Sequence, residues 1–142
     1  MASLADRQRQ TALRLLEGWN EHTVEGLLRD RTDDCLNGAL PRRLGRSGRS
    51  NDDIAASVKK LSPMLDDVKM NIWRVISDAE QHEAVVHATA MGVTPLGPYE
   101  NEHVIFMSFN ADGSKVNRVE EYVDTSVSEA FVKRVQAYSQ QA

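Results

Sequence analysis

The feature that most constrains this chain is a change of hydrophobic period near its midpoint. Four segments after residue 67, VKMNIWRVI, EAVVHATAMGV, EHVIFMSF and KVNRVEEYVD, are rich in β-branched and aromatic residues and alternate with period two. The joins SDAEQHE, TPLGPYEN and NADGSK separate them, and Asp112-Gly113 in the last is a hairpin signal. The first half is helical instead. Ala12, Leu15, Leu16 and Trp19 fall at i, i+3, i+4 and i+7, one stripe of an amphipathic helix whose last turn Gly18 weakens. A second helix spans Thr23 to Arg29 with Thr23 as its cap. RTDDCLNGALP reads as a turn and a short strand that Pro41 ends, and residues 42–50 as a loop. A third helix runs from Asn51 to Leu61, capped by Ser50 or Asn51, with Pro63 marking its end. A final helix begins near Ser126, where Ser126 and Glu129 have capping-box spacing.

Helix, short helix, short strand, helix, four long antiparallel strands and helix define an α+β chain. Three helices over the concave side of a strongly curved antiparallel sheet make a cone with an open mouth. At 142 residues, one domain covering 1–142 is expected. Such a domain buries roughly two-thirds of its unfolded surface and needs no metal or disulfide.

Charge and cysteine content narrow the partners. The formal net charge of -4 argues against nucleic acid, whose binding rests on phosphate neutralisation. The lone Cys35 forms neither an internal disulfide nor a cysteine zinc site and favours a reducing compartment. No run approaches the ~20 apolar residues of a membrane span. The first residues, broken by charge, lack a signal-peptide core, so the expectation is a cytoplasmic protein without membrane contact. No GxGxxG, Walker loop, HExxH or GxSxG is present, and His22, His82, His87 and His103 lack tight metal-ligand spacing. No cofactor or metal is expected.

Trp19 closing the first helix, TDDCLNGALP, GPYENEHVIFMSFNADGSKV and RVEEYVDT, in that order and spacing, resemble SnoaL-like proteins of the nuclear transport factor 2-like superfamily. Within that group the sequence is most similar to small proteins of fungal polyketide and meroterpenoid pathways. The resemblance spans nearly the whole chain. It implies a pocket between helices and sheet, cofactor-free acid/base chemistry on a hydrophobic small molecule, and a homodimer. It also implies an acidic residue near the end of the last strand pointing into the cone.

Glu121 and Asp124 are the candidates for that residue, and a carboxylate in an apolar pocket can trade protons near neutral pH. On a regular strand Arg118, Glu120, Tyr122 and Asp124 share one face and Glu121 the other, but a one-residue bulge would unite the two candidates. A solvent-facing row, with Asp124 capping the last helix, is the plainer reading. His87, among apolar neighbours, is a third proton-transfer candidate or a core or interface histidine. Tyr99, Asn101 and Glu102 lie near one sheet end. There Tyr99 or Asn101 would polarise a substrate carbonyl, or the segment bonds its own backbone. His103 follows immediately and either reaches the same region or, as the plainer reading, is an exposed strand histidine. Asp33 and Asp34 precede the first strand, and Asp34 is kept as a contact at the mouth. Trp19 is a pocket wall or a core residue, and Trp73 lies under a helix or in a dimer interface. Arg42, Arg43, Arg46 and Arg49 form the strongest local charge bias, able to draw an acidic substrate, with Arg42 the named contact.

The leading expectation is a cofactor-independent isomerase or cyclase acting on a polyketide- or meroterpenoid-type intermediate. A dehydratase on the same scaffold and a non-catalytic ligand-binding or dimerisation module are the alternatives.

Overall fold

A computed structural model describes residues 1–46 and 48–141; Ser47 of the expected loop and Ala142 lie outside the described residues. The elements are α1 (Leu4–Trp19), α2 (Val24–Leu28), β1 (Arg31–Leu40), a 3-10 turn (Arg42–Leu44), α3 (Asn51–Leu65), β2 (Lys69–Asp78), β3 (Glu83–Thr94), β4 (Gly97–Phe109), β5 (Val116–Val123) and α4 (Thr125–Gln141). This is the expected α+β order, and the five strands form one curved sheet in the order β1-β5-β4-β3-β2.

Three expectations change in detail. β1 is ten residues long and pairs parallel to β5, so the sheet is mixed. Helix α3 carries the chain from β1 at one edge to β2 at the other, and three antiparallel steps then bring β5 back beside β1. β4 begins at Gly97 rather than near Glu102, because β3 and β4 stay in register to Thr94 opposite Gly97. Pro95 and Leu96 alone make that turn, with Gly97 at φ 108°. Finally, α3 runs through Pro63 to Leu65. The bond that Pro63 omits falls to the carbonyl of solvent-exposed Lys59, where water can replace it.

Alternation sorts the sheet into two faces. Ala84, Val86 and Ala88 of β3 and Ile105 and Met107 of β4 are buried on the concave face against Ala12, Leu15 and Leu16 of α1. The alanines let α1 approach closely, and each buried leucine contributes roughly 1.5–3 kcal/mol. At the Asp112-Gly113 turn, Gly113 has φ 75° and its carbonyl accepts a 2.6 Å bond from the buried Thr11 hydroxyl. The cap residues act as their types dictate: Ser3 with Asp6 and Ser50 with Asp53 form capping boxes, and Thr23 accepts from the Gly26 amide. Helix α4 packs Phe131 and Val135 against Met64 of α3, with Tyr99 and Leu96 beside them.

Gly18 is a close approach, not merely a weak helix residue. A Cβ there would collide with the backbone carbonyl of Gly26 in α2. Helix propensity alone would make Gly18→Ala stabilising by about 1 kcal/mol. The packing instead predicts a loss of about 1–3 kcal/mol in urea unfolding, and a gain would show that α1 and α2 are not held in contact.

Candidate functional site

The site follows from the register of β4 and β5. Glu121 lies two residues beyond fully buried Val119, so it shares the concave face, while Glu120 and Tyr122 face the other way. Ile105 stands opposite Glu121 and His103 opposite Val123, which leaves His103 and Glu121 as diagonal neighbours on the concave side. His103 Nδ1 and Glu121 Oε2 are 2.8 Å apart. Their side chains are only 14% and 22% exposed, and His103 Nε2 is buried without a partner. The expectation of an exposed His103 is therefore corrected. Its phase with Ile105 and Met107 was the available signal.

Glu121 lines a cavity of about 200 Å³ together with Trp19, Leu27, Arg31, Asn37 and Arg49, closed above by Ile54, Ser57 and Val58 of α3. A neighbouring chamber of about 190 Å³ shares Trp19, Leu27, Ser57 and Val58 and adds His22, Leu61 and Ser62. Both pockets thus touch Trp19; one is mainly apolar, and the other has a carboxylate and two guanidinium groups on its wall.

Arg31, at the start of β1, is 5% exposed. Its Nε donates to Asn51 Oδ1 at 2.8 Å and its Nη1 to Asn37 Oδ1, while Nη2 has no partner. Burial holds this guanidinium below its usual pKa, with Arg49 adding to the depression and the Cys35 thiol opposing it. Arg49 donates to the Ser57 hydroxyl. Arg49 came from the arginine-rich loop; Arg31 carried no sequence signal that separated it from ordinary strand-edge arginines.

The other candidates are placed elsewhere. His87 lies on the convex face, where Nε2 is 2.7 Å from Glu102 Oε2 and the ring stacks on Trp73 at a centroid distance of 6.2 Å. Trp73 is 63% exposed and its indole donates to Thr89, so it lies under no helix. Arg42 is exposed, 3.8 Å from Glu120 on the convex side. Asp34 is exposed and accepts from the Thr32 hydroxyl.

Asp124 has left the strand and caps α4, accepting from the Ser126 amide and hydroxyl. That cap replaces the expected Ser126–Glu129 box. The Ser126 hydroxyl bond is the main cause that holds the Asp124 carboxyl below its ordinary range. Its contribution is therefore present at neutral pH and lost as the pH falls through that lowered value.

Tyr99 and Asn101 sit on the concave side but support α4. Asn101 is 2% exposed; its amide donates to Tyr99 Oη at 3.3 Å and its Oδ1 accepts from the Asp124 amide at 3.1 Å. Tyr99 packs edge-on to Phe131, and burial pushes its hydroxyl pKa up. Tyr99 lines a separate open groove beneath α4, and Asn101, Glu102 and Asp124 share a small polar depression. Of the sequence candidates, the cavity beside the imidazole brings together Trp19 and Glu121, with Arg49 from the loop. Among the described residues, no three His, Cys, Asp or Glu side chains cluster as a metal site requires. No described helix is long and apolar enough to cross a membrane.

Asn101→Ala would strand the buried Tyr99 hydroxyl and the Asp124 amide at a cost of about 1–3 kcal/mol. Hydrogen exchange should then accelerate across residues 125–141 before it does in β3 and β4; uniform acceleration would contradict this tether.

No family model matches the chain. Individual proteins do. A monooxygenase, dmxR10, of a Cryptosporiopsis species is 32% identical over 140 residues, covering 97% of this chain and 93% of its own. A monooxygenase of Claviceps purpurea is 35% identical over 131 residues, covering 92% and 83%. Among solved structures, BvnE pinacolase from Penicillium brevicompactum superposes with a TM-score of 0.88 at 24% identity, covering 96% of each chain. A putative SnoaL-like polyketide cyclase from a Jannaschia species superposes at 0.67 and 16% identity, covering 84% and 86%. The chain belongs to the family of small fungal proteins that includes these monooxygenases, and its fold is the SnoaL-like form of the nuclear transport factor 2-like cone.

Proposed function

We propose that this chain is an enzyme of secondary metabolism, an isomerase or cyclase that works by acid/base catalysis on a small hydrophobic polyketide- or meroterpenoid-type intermediate. The observation that carries the proposal is the 2.8 Å His103–Glu121 pair, mostly withdrawn from solvent, with Glu121 on the wall of a cavity that also presents Trp19, Leu27, Ile54 and Val58. The enzyme names of its relatives and of the pinacolase neighbour agree with a catalytic role.

In this mechanism Glu121 is the base. One carboxylate oxygen is held by His103 Nδ1, which leaves the other to take an acidic proton from a substrate in the chamber. Glu121 keeps that proton on its free oxygen while the substrate rearranges and then returns it to a different atom, and the His103 bond holds the carboxyl group in place. Trp19, Leu27, Ile54 and Val58 supply the apolar part of the wall beside it. Asp124 and His87 have no part in these steps, since one caps α4 and the other lies on the opposite face of the sheet.

The relatives' name favours a second reading on the same base. A carbanion formed from an activated CH2 group can itself reduce dioxygen. That reaction balances as R–CH2–R′ + O2 → R–CO–R′ + H2O, with the substrate supplying all four electrons. An oxygen electrode with anthrone as substrate separates the readings: proton shuffling consumes no dioxygen.

The bicyclic ketone 2-tetralone tests the base directly. In heavy water the protein should speed deuterium entry at its α-carbon above buffer. Glu121→Gln should cut that rate about 10²–10⁴-fold, and His87→Gln should leave it intact. No acceleration by the wild type, or equal loss in both variants, would defeat this assignment. Loss of water from a hydroxylated substrate would indicate a dehydratase, and tight binding without exchange a binding module.

We also propose that the protein is a homodimer through its convex face. Trp73, Ile76, Met91, Phe106 and Tyr122 expose a broad apolar area there. Sedimentation should show a dimer that Phe106→Glu converts to a monomer; a wild-type monomer at micromolar concentration would remove the proposal.

A further inference from the structure

We propose that the substrate carries an acidic oxygen, a carboxylate or an acidic enol or phenol on a fused-ring skeleton, and that Arg31, assisted by Arg49, holds it in the cavity beside Glu121. This rests on the reading that the cavity is the substrate site, but not on the chemistry assigned to His103 and Glu121.

The central observation is a buried guanidinium with nothing anionic to neutralise it. A charge removed from water is normally paired, because leaving it unpaired costs several kcal/mol. Arg31 is 95% buried, yet among the described residues no carboxylate lies within ion-pair distance of it. Its two acceptors are neutral amide oxygens, and the remaining terminal nitrogen, Nη2, has none. Of the nearby charged or titratable groups, the Cys35 thiol has its pKa raised by burial and Arg49 is a second cation. The carboxylate on the cavity wall, Glu121, is already bonded to His103. Two guanidinium groups against one carboxylate leave the chamber wall net positive.

The guanidinium is also fixed in direction. Asn51, which receives Nε, is itself pinned by donating to the Thr32 carbonyl at 2.9 Å and the Asp33 carbonyl at 3.3 Å. Asn37, which receives Nη1, exchanges 2.9 Å backbone bonds with Arg49, bringing the second cation to the same wall. Two edges of the fork are thus spent on the protein and one is left over. A planar oxygen acid is the natural complement of the two guanidinium groups on this wall.

The rest of the lining sets the skeleton. Trp19, Leu27, Ile54 and Val58 offer apolar and aromatic surface. An apolar cavity of roughly 150 Å³ takes one benzene ring. Open pockets of about 200 and 190 Å³ that both touch Trp19 have room for a flat ring skeleton larger than benzene, with the acidic oxygen at the Arg31 end.

The test compares two probes of nearly equal shape, 2-naphthoate and the neutral ketone 2-acetonaphthone, by calorimetric titration at neutral pH and low salt. The wild type should bind 2-naphthoate tighter by on the order of tenfold or more. Arg31→Gln should bring the affinity ratio towards one while largely keeping affinity for the ketone, which a merely structural role would not do. Because Arg31 also anchors β1 to α3, Arg49→Gln, at an exposed residue, is measured beside it and should lower the ratio severalfold. Equal wild-type affinities, a preference that survives both substitutions, or no binding of either probe at millimolar concentration would overturn the proposal. Anion preference without 2-tetralone exchange would defeat the acid/base reading and leave this one standing; exchange without anion preference would do the reverse.

Discussion

The acid/base reading of this protein depends on one alignment, that of β4 against β5. With Ile105 facing Glu121, the imidazole of His103 falls one diagonal step from the carboxylate, close enough for a single bond. The apolar residues around them enforce that alignment. Val119, Ile105 and Met107 are essentially fully buried, and a one-residue slip would expose Val119 and turn Glu120 inward. Packing in the hydrophobic core therefore holds the polar pair in place, and the pair in turn satisfies two groups that would be costly to bury separately.

The same alternation gives the sheet two faces with different work. The concave face holds the core beneath α1, the His103–Glu121 pair and the chambers roofed by α3. The convex face holds His87, Glu102, Trp73 and Phe106 in a partly apolar, partly charged surface. Helix α4 covers the concave side at one end of the sheet and packs on Met64 of α3. It is tied down by Asn101 through the Asp124 amide and by Phe131 against Tyr99, near the hairpin that ends β3.

Much of this was legible in the sequence, for physical reasons. The switch from a 3.6 to a 2.0 hydrophobic period announced helices followed by strands. Asp112-Gly113 marked its turn because Gly113 takes a positive φ. Strand parity separated Glu121 from Glu120, and the stripe ending at Trp19 pointed to the wall it forms. What failed depended on distant partners. Nothing near β1 reveals that it pairs parallel to β5, since that is settled by where α3 delivers the chain. His103 looked exposed because a histidine's burial depends on whether the opposite strand offers an acceptor, and Glu121 lies 18 residues away. Arg42 and Arg49 share a loop and look equivalent, yet one meets Glu120 outside the cone and the other lines the cavity. Arg31 was hidden for the same reason, since its partners lie 6 and 20 residues away in sequence.

Nitrogen NMR of the histidine rings tests the central claim, that the His103–Glu121 pair faces the ligand. On adding 2-tetralone, the ring resonances of His103 should move and lose that response in Glu121→Gln, while those of His87 on the outer face stay in place. Movement of His87 with an unperturbed His103 would place the ligand on the other side of the sheet and contradict the account.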